Sequence, residues 1–389
     1  MTDLYLLQPD LASDWYPFVQ CRPISELRVG AWLLRERWEA IAAGETRAVF
    51  GPPHLHGFAD DSTPPVTAAE PVTGPALIGM STFAPSGVHP DLPKGPARLV
   101  NDGVVVGWWV APGTTWQPGT EFGGDEVTIE GLELHGSYDL VTALEYFLVA
   151  DTTDFTHEGG DALPDGSILI GDPVDVVVLS AAVEPGVVFD VRHGPVVIEQ
   201  RTHVKSGTRL EGPLYIGPGC EVFGGQISHC SIGPRCKIRG ELAFTVAVGY
   251  ANKAHDGFVG HSVLGRWVNL GAGTTTSNLK NTYGGIRLQI GDQRIETGRH
   301  NLGTLFGDHA KTAIGTQFET GTVVGVGANV FGWTRAPKYV PPFAWGDGGI
   351  MRRDGFLDTA ARVMPRRDVA VTEPVRQTLA RIYDHAVSA

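Results

Sequence analysis

The sequence predicts an α/β domain followed by an all-β solenoid of six-residue repeats and a short helical tail. Three observations predict it. Aliphatic residues recur at Ile198, Val204, Leu210, Ile216 and Val222 in strict steps of six, a period that fits neither a helix nor an ordinary strand. It is the signature of a hexapeptide β-helix, in which each coil is three short strands and every sixth residue points inward onto the coil below. The 389 residues include 51 Gly and 27 Pro, well above ordinary usage, as many tight corners require. The first 150–175 residues instead alternate helical and strand-like patterns, and a chain of this length holds two or more domains.

In chain order, Leu4–Leu7 is a short apolar strand, and Leu27, Ala31, Leu34 and Trp38 fall three to four apart, predicting a helix near Ser25–Ala43. Residues 52–76 contain six prolines and read as a loop. Ala76–Thr120 is strand-like, richest in Val and Trp over Arg98–Val110, and Leu140, Leu144 and Phe147 mark a helix from Tyr138 to Thr152. These elements make residues 1–175 an α/β domain. The solenoid follows over 176–350. Its register slips by one at Ile227 and Ile232, returns at Ile238, and continues through Phe258, Leu264, Leu270 and through Ile314, Thr320, Val326. The breaks at 239–257 and 277–313 are expected to be loops thrown out of the coil, which in repeat proteins tend to lie on the binding face. An all-β sandwich would show period-two alternation and turns every 8–12 residues, which this segment lacks. The tail, 351–389, ends in an amphipathic helix over Glu373–Val387, with Pro374 in its first turn and Thr372 as its cap.

Charge is uneven. The net value is −13, yet residues 201–287 hold ten Lys or Arg against four acids, while residues 52–198 hold 21 acids against Lys94, Arg98 and Arg192. Basic groups gathered on one repeat segment of an acidic protein are expected to draw small anions, such as sugar phosphates or the phosphates of coenzyme A. No basic stripe with interleaved aromatics points to nucleic acid. No apolar run reaches 18 residues and no basic n-region precedes an apolar core, so neither a membrane span nor a secretion signal is expected and the location is cytoplasmic. The four cysteines form no C-x-x-C pair and read as small buried hydrophobes.

The segment from Lys253 to Asn281 sets one histidine and two asparagines on the glycine-rich repeat. It includes Gly249-Tyr250-Ala251-Asn252-Lys253-Ala254-His255-Asp256-Gly257-Phe258, then Asn269 through Gly284; Gly321–Gly325 and Pro342-Phe343-Ala344-Trp345-Gly346 follow, and Arg22–Gly30 lies near the start. On these motifs the chain resembles the bacterial GlmU-like sugar nucleotidyltransferases. It is similar also to the acetyltransferase half of the bifunctional N-acetylglucosamine-1-phosphate uridyltransferase/glucosamine-1-phosphate acetyltransferase. The resemblance implies a nucleotidyltransferase-like first domain and a left-handed β-helix acyltransferase domain. It also implies a homotrimer with sites shared between neighbouring solenoids.

It further implies acetyl-CoA-dependent N-acetylation of an aminosugar phosphate such as glucosamine 1-phosphate, within nucleotide-sugar synthesis. His255, sixteen residues before Gly271, falls on the general base, a role that suits a group titrating near neutrality. Asn269 and Asn278 fall on the asparagines that hold the sugar, each offering a donor and an acceptor. Gly271 and Gly273 would let backbone approach the cofactor and steady an oxyanion. The family's substrate-binding lysine and tyrosine are replaced by Ala243 and Phe258, and a later lysine by Gly284. Phosphate recognition therefore falls to Lys253, Lys280 or Arg239. In the first domain the usual glycine-rich loop is absent, and Arg22 and Arg28 are the basic candidates near the start. An active domain there would use UTP or another nucleoside triphosphate with Mg²⁺; a degenerate packing domain is the other reading. His255 and His261 are six apart, but no further histidine shows ligand spacing, so no resident metal is expected. A non-catalytic sugar-nucleotide binding protein that retains the fold is the alternative function.

Overall fold

In the computed structural model, which describes residues 2–11, 13–333 and 335–388, the first domain is built on a mixed seven-stranded sheet. Its order is Asp125–Thr128, Ala97–Asn101, Val104–Val110, Ala76–Met80, Asp3–Leu7, Thr46–Phe50, Val66–Thr67. Asp3–Leu7 runs parallel to both of its neighbours. Leu4 and Leu6 face one side and are fully buried, the period-two pattern of a half-covered strand. Helix α1, Leu34–Ala42, buries Leu34, Trp38 and Ile41 and stops at Ala43 in the left-handed conformation (φ 48°). It begins nine residues later than expected from Ser25, because Gly30 (φ 65°) turns the chain and joins Arg28–Val29 to Trp32–Leu33 as an antiparallel pair. A Cβ at Gly30 would lie 2.2 Å from Asp151 Oδ2, so no other residue fits.

The solenoid has three faces. One is a nine-stranded parallel stack running from Val176–Val178 to Tyr339–Val340. A second contains Ala182–Val183, His203–Val204 and Asn252–Lys253, and continues through Lys311–Thr312 and Asn329–Val330. The third starts at Ile168–Ile170 and includes Phe258–Gly260, Thr275–Thr276 and Gln317–Phe318. Ile198, Val204, Leu210, Ile216, Val222, Ile227, Ile232 and Ile238 all point into one core, as the six-residue step predicts. Two expectations are corrected. Residues 239–257 are regular coil, not an expelled loop: Lys237–Ala243, Val246–Ala247 and Asn252–Lys253 keep the three-face path, with Leu242, Ala247 and Ala251 inward. The later excursion spans only 279–303 and contains the hairpin Arg287–Ile290/Gln293–Glu296, after which Thr304–Phe306 resumes the stack. There the inward positions are Phe306, Ala310, Phe318, Val324 and Val330, and the expected series through Ile314, which is 79% exposed, runs two residues out of phase with Phe306, Phe318, Val324 and Val330.

The domains are packed together. Helix α2, Asp139–Glu158, lays Leu140, Leu144, Phe147 and Leu148 against the outer side of the nine-stranded face, where Val177, Val197, Tyr215, Val263 and Leu305 point outward. In the tail, α3 (Arg353–Val363) precedes α4 (Glu373–Ser388). Phe356, Leu379 and Ile382 share a core with Leu4, Leu6 and Trp38 of the first domain and with Trp267 and Phe343 of the solenoid. Seven of the ten cations in 201–287 are paired with carboxylates: Lys205, Arg209, Arg235, Lys237, Arg239, Arg266 and Arg287. The expected anion-drawing surface on that segment is therefore largely neutralised.

Candidate active site

His255 lies on the exposed corner between Asn252–Lys253 and Phe258–Gly260, and its ring has no hydrogen-bond partner among the described residues. Two ties fix the corner. Arg239 Nε donates to Asp256 Oδ1 at 3.0 Å, and the guanidinium holds that carboxyl below the usual range. From inside, the ammonium of Lys253 donates to the carbonyls of Arg239 (3.2 Å) and His255. Lys253, expected as a substrate contact, is fully buried. Its neighbours on the same stack, Ile238 below and Leu270 above, point into the core, and Lys253 takes the same inward position. Desolvation lowers its pKa to about 8.

The next coil stacks its own corner on this one. Gly273 N–H donates to Asp256 O at 2.9 Å, placing Gly271-Ala272-Gly273 one coil above His255, a step of about 4.8 Å. Gly271 must be glycine, since a Cβ would lie 2.6 Å from the Ala313 carbonyl carbon. Its N–H donates to Thr312 Oγ1 at 2.9 Å, so the amides of Gly271 and Gly273 are both consumed inside the solenoid. The Ala272 N–H between them has no acceptor among the described residues. Sequence reasoning pointed to the glycines and missed this group, which the stacking of corners alone identifies.

The two asparagines point elsewhere. Asn269 accepts from Asn252 Nδ2 at 2.6 Å and opens onto a pocket of about 240 Å³ beside Lys311. Asn278 follows Thr275–Thr276 at a different corner, where its Nδ2 lies 2.8 Å from His261 Nδ1. His261 ends a ladder of stacked rings, His229, Phe244 and His261, with centroids 4.6 and 4.7 Å apart. Burial lowers the His261 pKa to about 4, making it a weak proton acceptor at neutral pH. Lys280 donates to Gly285 O and, with Arg335 and Lys338, lines a groove of about 490 Å³. Glu319 pairs with both Arg335 and Lys338 there.

In the first domain, Arg22 and Arg28 are buried between the domains. Arg22 donates to Asp308 at 2.6 and 2.9 Å and to Asp60 at 3.3 Å. Arg28 donates to Ser231 Oγ at 3.1 Å and lies 4.9 Å from the Tyr215 ring centroid. Neither reaches the cleft at the carboxyl end of Asp3–Leu7 and Thr46–Phe50, the switch point at which α/β sheets bind ligands. That cleft, of about 340 Å³, is lined by Gln8, Asp10, Tyr16, Gln20, His54 and His385, with no Lys or Arg among them. The His54 and His385 rings stack at 3.8 Å, and burial lowers the His54 pKa to about 4, leaving it uncharged.

Comparison with known proteins agrees with this two-part architecture. Residues 8–158 match the family described as sugar nucleotidyl transferase. A bifunctional sugar-1-phosphate nucleotidylyltransferase/acetyltransferase of Sulfurisphaera tokodaii is 32% identical over 150 residues, covering 36% of this chain and 35% of that protein. The bifunctional protein GlmU of Trichormus variabilis is 26% identical over 207 residues, covering 44% and 41%. The one from a Cyanothece strain is 30% identical over 141 residues, covering 28% and 30%. The matched parts thus span between a quarter and a half of each relative's length. Over residues 8–158 the chain is thus similar to the sugar nucleotidyl transferase family, and over part of its length to the bifunctional sugar-1-phosphate nucleotidylyltransferase/acetyltransferases.

Proposed function

We propose that the solenoid transfers the acetyl group of acetyl-CoA to the amine of an aminosugar phosphate such as glucosamine 1-phosphate, with His255 as general base. The observation that carries this reading is the exposed His255 corner with the unclaimed Ala272 N–H one coil above. The amine nitrogen attacks the thioester carbonyl carbon, the C–S bond breaks, and coenzyme A leaves as the thiol. His255 accepts the proton that the nitrogen must lose, and the Ala272 N–H donates to the oxygen on which charge develops. His261, a weaker proton acceptor because burial lowers its pKa to about 4, suits the role less well.

His255, Asn269 and Asn278 occupy a corner, a face and a second corner of the coils. They would meet at one reaction centre across adjacent solenoids, which favours a homotrimer. A monomer by light scattering would count against shared sites. In the first domain we assign transfer of a nucleotidyl group from UTP or another nucleoside triphosphate to a sugar 1-phosphate, at the strand-end cleft. Mg²⁺ commonly binds through one or two carboxylates plus substrate phosphates, and Asp10 offers one such carboxylate; bound there it would neutralise phosphate charge. Both activities place the protein in the cytoplasm, where acetyl-CoA and nucleoside triphosphates are available. The test is thiol release from acetyl-CoA with glucosamine 1-phosphate. His255→Ala should lower kcat by about 10²–10⁴-fold; undiminished turnover in that variant would remove His255 as the base.

A further inference from the structure

The pocket beside Asn269 has a composition that the acyl-transfer chemistry does not require. Three cations line it: Lys311 from the solenoid, and Arg366 and Arg367 from the turn that follows α3. No carboxylate lines it, and none of the three forms an ion pair among the described residues. Elsewhere the solenoid pairs its cations, as Arg209 with Asp190 and Arg266 with Asp60 show. Lys311 Nζ reaches only the His309 carbonyl at 2.8 Å, and Arg367 Nε is buried without a partner. Arg366 is exposed, while Lys311 and Arg367 are partly buried, and partly desolvated cations without a counter-charge are stabilised when an anion joins them. The arginines are held in place: Phe356 packs on Phe343 and His309, and Arg235 Nη1 donates to Arg367 O at 3.1 Å and Asp368 Oδ2 at 2.8 Å.

We propose that Lys311, Arg366 and Arg367 form a binding site for the phosphate of a phosphorylated ligand, with the Asn252 and Asn269 amides contacting the groups attached to it. At about 240 Å³ the pocket is smaller than a drug-sized ligand site, roughly 300 Å³ or more, so it holds one phosphorylated end of a ligand. Two guanidinium groups suit a phosphate by bidentate donation, and the ammonium adds a point charge. The acyl-transfer reading supplies the two ligands to consider, an aminosugar phosphate and coenzyme A; anion binding itself does not depend on that reading.

The test is calorimetric titration of the full chain at low salt with glucosamine 1-phosphate, coenzyme A and inorganic phosphate separately. In Arg366→Gln/Arg367→Gln, and in Lys311→Gln, the dissociation constant for the resident ligand should rise at least about tenfold, the loss expected for one charge-assisted contact. The affected ligand identifies the source of the phosphate; an effect on inorganic phosphate alone identifies a free-anion site. Arg98→Gln, remote in the first domain, serves as the control. Unchanged affinities in both pocket variants, or binding of none of the three ligands to the wild type, would overturn the site. The arginine pair is on the surface turn, so this variant keeps the test valid if Lys311→Gln unfolds. Loss of acetylation in His255→Ala with phosphate binding intact bears on the base alone, and the reverse result bears on the pocket alone.

Discussion

Replacing Lys253 with methionine should separate the placement of His255 from the stability of the coil. The side chains are similar in length, and methionine adapts to an inward channel flanked by Ile238 and Leu270. Two energies oppose each other. Desolvation brings the Lys253 pKa from the usual 10.5 to about 8, so at pH 7 the buried ammonium costs about 3 kcal/mol, at about 1.4 kcal/mol per tenfold. Methionine removes that cost but leaves the Arg239 and His255 carbonyls unpaired, at about 1–3 kcal/mol each. The net change in unfolding free energy at pH 7 should stay within about 2–3 kcal/mol. Activity has no such offset, because the 254–257 corner loses its inner tie; kcat should fall at least tenfold, about 1.4 kcal/mol of barrier. The sign of the pH dependence is fixed. A lysine whose folded pKa lies below its unfolded one loses its proton first in the native state, so the wild type gains stability as pH rises from 8 toward 10.5. The variant should lack that share of the gain. Urea unfolding at pH 7 and pH 9.5, beside the thiol-release assay, reads both quantities. A well-folded variant with unchanged kcat would refute the positioning role, and a loss well above 4 kcal/mol at pH 7 would refute the balance of energies.

Three further outcomes can be checked. Arg22→Ala strips a buried pair and leaves Asp308 Oδ2 without its partner, while Asp60 keeps Arg266; urea titration should show a loss of about 3–5 kcal/mol, partly restored by adding Asp308→Asn. His261, with its pKa lowered to about 4, stays neutral while the unfolded chain takes up a proton near 6.5, so stability is lost as pH falls through that window. His261→Phe continues the ring ladder of Phe244, at a similar positive φ (47° against 49°), and thermal melts at pH 7 and 4.5 should show a smaller acid penalty than wild type. Gly271→Ala meets fixed backbone at Ala313 and should cost about 1–3 kcal/mol. Gly284→Ala, with nothing nearer than 3.8 Å, should change stability by less than about 0.5 kcal/mol. Equal effects would mean that coil stacking does not constrain position 271.

The solenoid was legible where its inward positions are large and aliphatic, from Ile198 to Ile238. It became illegible where the core is filled by Ala247, Ala251, Ala310 and Thr312, or by an ammonium turned inward at Lys253. Periodicity of apolar side chains carries no signal at such positions, so regular coil at 239–257 looked like an insertion. The same limit applies to the arginines. Arg22 and Arg28 stand near the start of a domain expected to bind phosphates, but charge alone does not say whether a guanidinium meets solvent or a carboxylate 286 residues away, as Arg22 does with Asp308. At the site, the sequence set His255, Asn269 and Asn278 on the repeat segment, and the structure puts His255 on one coil and both asparagines on the next. The free amide at Ala272 and the cation cluster at Lys311 arise from stacking and from the tail, which no local pattern encodes.

The tail has a consequence for how the protein is made. Ala59 N–H donates to Thr378 Oγ1 at 3.0 Å, Arg381 donates to Gly57 O at 2.9 Å, and Leu379, Ile382 and Ala386 complete a core begun by Leu4 and Leu6. The first domain, complete at the end of α2, emerges from the ribosome with that surface bare and waits for more than 200 further residues before α4 begins at Glu373. Contacts of such long range slow folding and leave apolar surface open to aggregation meanwhile. A gene cut after α2 would therefore encode not an autonomous domain but one missing a wall. Separating the two proposed activities is better attempted by point substitution than by truncation.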